Sequence, residues 1–204
     1  MKSNKEHWNK VYSTKEPHQV SWTEEVPKAS LEFIAEFNLP KDAKIIDIGG
    51  GDSRLVDYLL LDGYQNITVL DISEKAIEKA KNRLGEKANN VTWIVSDIMD
   101  FNPGIMYDCW HDRATFHFLT EISDINLYLD TARNAINKFM VIGTFSENGP
   151  NKCSLLEVHQ YSEEELQEQL KTGFEKLKCI KEDHMTPFQT FQNFLFCSFR
   201  KLAI

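Results

Sequence analysis

A short apolar run, Ile45-Ile46-Asp47-Ile48, leads directly into Gly49-Gly50-Gly51-Asp52. These are the residue types of a buried strand that delivers the chain into a tight turn. Glycine lets the backbone turn there and approach a ligand with no Cβ in the way. Asp71 stands twenty residues beyond Gly51, at the end of a second apolar run from Ile67 to Leu70. A carboxylate at that point can accept hydrogen bonds from both hydroxyls of a ribose. The two features together describe a nucleoside-binding crevice at the carboxyl ends of adjacent strands. In the dinucleotide pattern G-x-G-x-x-G the third glycine falls at position 54, where this chain has Arg54, so a pyrophosphate-bearing cofactor is disfavoured.

A second group of reactive types sits further along, in Trp110-His111-Asp112-Arg113-Ala114-Thr115-Phe116-His117-Phe118-Leu119. This stretch leaves the end of a fourth strand, beside the crevice, where open α/β sheets bind ligands. His111, Asp112 and His117 are candidate general bases, and Arg113 can clamp a carboxylate by a bidentate pair. Each has a structural alternative: Asp112 as a helix cap, Arg113 in an internal ion pair, His117 in an aromatic cluster. Cys109 and His111 share a strand face, and Cys153, His159 and His184 can be brought near them. None of these has metal-ligand spacing beyond that i, i+2 pair, so no metal site is expected.

Strands alternate with helices around these residues. Lys44 to Ile48, Ile67 to Leu70, Val91 to Val95, Met106 to Trp110 and Lys138 to Phe145 read as buried strands. Between them lie helical patterns: Leu55 to Asp62, a helix capped by Ser73 and closed by Gly85, and another from about Asp124 to Asn137. That alternation implies βαβ units and a parallel sheet covered on both faces. Ser162 opens a further helix with a capping-box pattern, and Phe174 to Asp183 and Thr190 to Arg200 form an antiparallel hairpin turning at Thr186-Pro187. An amphipathic helix from Pro27 to Phe37 precedes the first strand, after an aromatic segment with Trp8, Tyr12 and Trp22. The expected fold is α/β: a Rossmann-like, doubly wound seven-stranded mixed sheet with an antiparallel C-terminal hairpin.

The 204 residues are 42% apolar and 26% charged, with nine glycines and six prolines, an ordinary globular composition. Net charge is −8, which leaves no overall basic surface for phosphates or anionic lipid, so neither nucleic acid nor membrane partners are expected. No apolar run reaches spanning length and the first residues lead into no apolar signal region, so a cytoplasmic protein is expected. Four scattered cysteines, 109, 153, 179 and 197, then read as free thiols.

Asp47-x-Gly49-x-Gly51 resembles the first motif of the class I S-adenosylmethionine-dependent methyltransferases, and the resemblance continues in order along the chain. It implies S-adenosyl-L-methionine as cofactor, held at Asp47, Gly49, Gly50 and Gly51, with Asp71 on the ribose and Asp97 of Val95-Ser96-Asp97-Ile98 on the adenine. Ile72 and Ile98 would flank the adenine ring, and Trp22 belongs to an aromatic segment that would close over the cofactor. The run W-H-D-R-A-x-F-H-F-L, with Gly149-Pro150, Cys153-Ser154 and His184-x-Thr186-Pro187, looks like a small bacterial group of that family. The whole chain, 1–204, reads as one such domain: a helical lid or cap over 1–42, a cofactor-binding core over 43–145, and a C-terminal helix and hairpin over 146–204. The acidic surface suits a small-molecule acceptor. A protein lysine acceptor is the alternative, with a cofactor-binding interaction subunit or a nucleotide-binding oxidoreductase behind it. The sequence is silent on oligomeric state.

Overall fold

Helix α1 (Lys2–Thr14) and helix α2 (Lys28–Glu36) precede the first strand, β1 (Lys44–Ile48). The chain continues through α3 (Leu55–Leu61), β2 (Asn66–Asp71), α4 (Glu74–Leu84), β3 (Val91–Val95), β4 (Tyr107–Arg113), α5 (Ile122–Ala135) and β5 (Ile136–Phe145). A two-stranded ribbon, β6 (Lys152–Cys153) with β7 (Leu156–Glu157), comes before α6 (Glu163–Leu170) and the long hairpin of β8 (Phe174–Met185) and β9 (Phe191–Lys201). This computed structural model describes residues 2–203, so the end residues Met1 and Ile204 lie outside the described residues. Among the described residues, no helix is long and apolar enough to cross a membrane.

Seven strands form one mixed sheet in the order β3-β2-β1-β4-β5-β9-β8. The first five run parallel, β9 runs antiparallel to β5, and β8 antiparallel to β9. Chain order reverses between β1 and β4, the topological switch point at which such sheets bind ligands. The central strands are covered on both sides, which explains their nearly unbroken apolar runs. Ile46, Ile48, Trp110 and Ile142 face a core shared with Tyr128 and Leu129 of α5. Ile45, Val69 and Cys109 face the opposite one with Leu55, Val56 and Leu59 of α3.

Local signals account for most element ends. Ser73 accepts from the Ala76 amide at the start of α4, and Ser162 from the Glu165 amide at the start of α6. Four expectations need correction. Strand β4 does not stop at Trp110: His111 and Asp112 pair with Asp47 and Ile48, and the ladder to β5 runs on to Arg113 opposite Gly143. Polar residues persist in this central strand because their side chains find partners inside the fold. Helix α5 occupies Ile122–Ala135, two residues earlier than its pattern suggested. The ribbon of β6 and β7 was not anticipated, because its turn puts Ser154 and Leu155 at positive φ (49° and 69°) without the usual Asn-Gly signal. The cysteines are not four free thiols, since Cys179 of β8 and Cys197 of β9 stand opposite one another and form a disulfide. Cys109 and Cys153 are free and buried. Spacing along the chain carried no sign of that pairing, which depends on strand register.

Candidate functional site

The turn after β1 is set by a side chain from the far side of the crevice. Gly49 has φ +64°, and a Cβ on it would overlap Thr115 Oγ1. That hydroxyl donates to the Ile48 carbonyl at 3.3 Å. A Cβ at Gly50 would lie within 2.9 Å of Val69 and press on the Asp47 carboxylate, and one at Gly51 would come within 2.8 Å of Asp71 Oδ2 and 3.1 Å of the Tyr12 hydroxyl. Arg83, from the last turn of α4, holds the outer half of the turn: it donates to the Asp52 and Ser53 carbonyls and pairs with Asp52 and Asp57.

Asp71 closes β2 with its carboxylate buried. One oxygen accepts from the Ser73 amide at 2.6 Å. Burial, reinforced by the charge of nearby Asp47, pushes its carboxyl up to about 7. Asp97 begins a short 3₁₀ turn after β3 and accepts from the Met99 amide at 3.0 Å.

His111 braces the crevice from beneath. Its Nδ1 lies 2.7 Å from Asp47 Oδ1 and its Nε2 2.8 Å from Ser30 Oγ on α2. With a carboxylate on one side, Nδ1 carries the hydrogen and donates. Both ring nitrogens are thus engaged in holding β1, β4 and α2 together. Asp112 points to the other face of the sheet and is fully buried. Its Oδ1 accepts from the Thr115 and Phe116 amides at 3.0 and 3.1 Å, and its Oδ2 from the Tyr128 hydroxyl at 2.7 Å, which in turn accepts from Trp110 Nε1. Burial raises its carboxyl to about 6. It caps the turn that brings Thr115 over Gly49.

Arg113 is occupied by the segment between α1 and α2. Its Nη1 donates to the Trp22 carbonyl at 3.0 Å, its Nη2 lies 3.1 Å from Glu24 Oε1, and its guanidinium sits 4.8 Å over the Phe194 ring. His184 of β8 approaches the same Glu24 oxygen at 3.3 Å through Nδ1 and donates through Nε2 to the Ser21 carbonyl. Burial alone would raise the Glu24 carboxyl. The His184 hydrogen bond and the Arg113 charge outweigh it and hold that carboxyl below its ordinary value. His117 accepts from the Phe145 amide through Nδ1, stacks on the Phe145 ring, and is driven down to about 3 by burial, so it is neutral.

These groups surround a cavity of about 490 Å³. Asp47, Gly49, Gly50, Asp71, Ile72, Asp97, Ile98 and Trp22 all reach its wall, as do His111 and Arg113. Gly51 does not, and its part is to let Asp71 and Tyr12 close in. Asp112 and His117 lie behind the wall. Trp8 and Tyr12 of α1 join Trp22 and Phe118 in an aromatic cluster on the wall, with ring centroids 5.3 to 6.3 Å apart and every pair but Trp8–Tyr12 edge-to-face. Cys153 adjoins the wall, its thiol pushed up to about 11 by burial and hence protonated at neutral pH. No three His, Cys, Asp or Glu side chains gather as metal ligands among the described residues. Glu24, Thr115 and Arg83 carry no local signal in the sequence, because each acts on partners at least 26 residues away.

Residues 46–138 match the family model described as a methyltransferase domain. Malonyl-[acyl-carrier protein] O-methyltransferase of Anoxybacillus flavithermus is 30% identical over 131 residues, 63% of this chain and 49% of that enzyme, so the chain spans about half that relative's length. EEF1A lysine methyltransferase 2 of Danio rerio is 23% identical over 184 residues, covering 85% of this chain and 76% of the relative. Among solved structures, the 1,6-didemethyltoxoflavin-N1-methyltransferase of Burkholderia thailandensis, with bound 1,6-didemethyltoxoflavin and S-adenosylhomocysteine, superposes with TM-score 0.70 at 19% identity, over 99% of this chain and 85% of the other. The matched segment runs from the glycine turn through Asp71, Asp97 and the polar end of β4, so this part of the chain is similar to a methyltransferase domain, and the chain as a whole shares its fold with solved methyltransferases.

Proposed function

We propose that this chain transfers the methyl group of S-adenosylmethionine to a small-molecule acceptor held between the glycine turn and the aromatic cluster of Trp8, Trp22 and Phe118. The observation that carries the reading is convergence: the Cβ-free turn, the buried Asp71 carboxylate and the aromatic wall open on one cavity. The residues present fit the cofactor. A side chain at Gly49 or Gly50 would collide with Thr115 or with Asp47 and Val69 and so deform the turn, Asp71 and Asp97 offer acceptors for ribose and adenine donors, and Ile72 and Ile98 supply apolar contact. Residues 43–145 would then hold the cofactor, 1–42 cover it, and 146–204 complete the acceptor side.

The bound cofactor would supply an activated methyl on a positively charged sulfur, a good leaving group. The chain's own work is therefore to align the acceptor, exclude water and fix the turn. His111 holds Asp47 in place, Asp112 holds Thr115 against the turn, and Arg113 with Glu24 fixes Trp22 on the acceptor side. A protein lysine acceptor is the second reading, favoured by the relative from Danio rerio that aligns over 85% of the chain.

Calorimetry with S-adenosylhomocysteine tests the cofactor assignment. Asp71→Ala is expected to weaken binding by roughly 2–3 kcal/mol, since hydrogen bonds to a charged acceptor are worth about 1.5 kcal/mol or more each. The wild type should also release a proton on binding. Its free Asp71 holds a proton up to about pH 7, and ribose hydroxyl donors favour the ionised carboxylate. Titrations in buffers of different ionisation enthalpy should show close to one proton released near pH 6 and little above about pH 8.5. Unchanged affinity in Asp71→Ala would remove the ribose assignment, and tighter binding of NAD than of S-adenosylhomocysteine would remove the whole reading.

A further inference from the structure

A chain of hydrogen bonds runs beneath the glycine turn from Asp47 to α2. Asp47 reaches the cavity wall, and its Oδ2 lies under Gly50, where a Cβ would come within 2.5 Å of it. Its Oδ1 is 2.7 Å from His111 Nδ1, and His111 Nε2 is 2.8 Å from Ser30 Oγ. Each of the three residues is at most 3% exposed, so their polar atoms depend on partners within the fold. Nε2 is the one hydrogen-bond partner of the Ser30 hydroxyl among the described residues. That fixes the ring's charge. A carboxylate only accepts, so Nδ1 donates to Asp47. A hydrogen on Nε2 would point at Ser30 Oγ and leave the hydroxyl's own hydrogen without an acceptor in the interior. Nε2 therefore carries a lone pair, Ser30 donates to it, and His111 is neutral. The acids around the ring pull the other way: Asp47 on β1, Asp112 on β4 and Glu24 ahead of α2 all favour an imidazolium, with Arg113 opposing them.

We propose, resting on the methyltransferase reading above, that Ser30 is a positioning residue for cofactor binding: its hydroxyl locks His111 as the neutral Nδ1–H tautomer, so that the ring holds the Asp47 carboxylate in place without cancelling its charge. An imidazolium 2.7 Å from that carboxylate would make the pair neutral. A neutral ring leaves a full negative charge under the turn, in an interior that screens it weakly. The two forms of the cofactor differ by one such charge. S-adenosylmethionine carries a sulfonium, an ammonium and a carboxylate, and so one net positive charge, whereas S-adenosylhomocysteine lacks the sulfonium charge and is neutral. An uncompensated Asp47 therefore favours the methylated form over the spent one, and loading of fresh cofactor over retention of the product.

Nitrogen-15 NMR of the histidine-labelled full chain and calorimetry with the two cofactor forms test this together. In the wild type, His111 is expected to show one protonated nitrogen, Nδ1, from about pH 6 to 8. Ser30→Ala opens Nε2 to a proton among three acids, and both nitrogens are expected to be protonated in that variant at about pH 6. The ratio of S-adenosylmethionine affinity to S-adenosylhomocysteine affinity should stay level across that range in the wild type. In Ser30→Ala it should fall on the order of tenfold at about pH 6 and recover near pH 8. Asp71 would meet the same ribose in both ligands, so its own titration cancels in the ratio. Ser30→Thr keeps the hydroxyl and should restore the wild-type spectrum and ratio. A serine that only packs α2 on the sheet would, when removed, lower the melting temperature and weaken both ligands alike. The wild-type spectrum stands by itself should Ser30→Ala fold poorly. An imidazolium or an Nε2–H tautomer in the wild type, or a level ratio in a folded Ser30→Ala, overturns the proposal. Failure of both ligands to bind overturns the methyltransferase reading along with it, whereas normal binding with a level ratio in the variant overturns the role of Ser30 alone.

Discussion

Gly49→Val is expected to leave no measurable S-adenosylhomocysteine binding, a loss of more than about 100-fold, in a protein that still folds. Two independent costs meet at that residue. Its φ of +64° is a conformation that a β-branched residue adopts only at a cost on the order of 1–3 kcal/mol. The added Cβ must also displace Thr115 Oγ1, the group that closes the turn onto the Ile48 carbonyl. The binding surface itself is deformed, so the ligand loses more than the fold does. Gly49→Ala made together with Thr115→Gly separates the two costs: the overlap is relieved while the backbone strain remains. Partial recovery of affinity in that double variant is expected, and a Gly49→Val protein with wild-type affinity would show that the turn does not form the binding surface.

Asp112→Ala should lower global stability by roughly 3–5 kcal/mol, with little loss of turnover per folded molecule. The substitution strands two backbone amides and the Tyr128 hydroxyl in a dry interior, and each unsatisfied buried group costs about 1–3 kcal/mol. Asp112→Asn keeps an acceptor and should cost less. The pH dependence carries a sign of its own. The native carboxyl, raised to about 6, lies above the ~3.9 of an unfolded aspartate. The native state therefore binds more protons than the unfolded state between those values, and this group's contribution to stability falls as pH rises through the window. Asp112→Asn should flatten that slope in denaturant titrations from pH 4 to 7. If Asp112 instead acts on the acceptor, turnover per folded molecule collapses while stability holds.

The pattern of residues made the sheet and the glycine-turn end of the cavity legible, because those features are local. A glycine turn directly follows a buried strand, an acid ends the next strand, and Ser73 and Gly85 bracket a helix. Seven strands and the C-terminal hairpin came from the same alternation. The wall around Arg113 was not legible in this way. The four polar residues after Trp110 look equivalent in sequence, yet strand alternation sends His111 and Arg113 to the cavity and Asp112 to the opposite core. The acid that neutralises Arg113 is Glu24, and nothing near either residue announces the pair. The Cys179–Cys197 bond was hidden for the same reason, since register across a hairpin decides it.

Helix α1 is tied to both rims of the cavity. Asn9 accepts from the Ser73 hydroxyl and the Lys75 amide at the start of α4, and His7 meets Ser154 at the ribbon of β6 and β7. Between these moorings Tyr12 reaches down beside Gly51. Where exchange with this cavity requires α1 to move, at least one mooring must let go first. Binding rates should then level off at high ligand concentration at the speed of that release, well below the diffusion limit, and departure of the demethylated product, slower than the chemistry it follows, would pace each turnover.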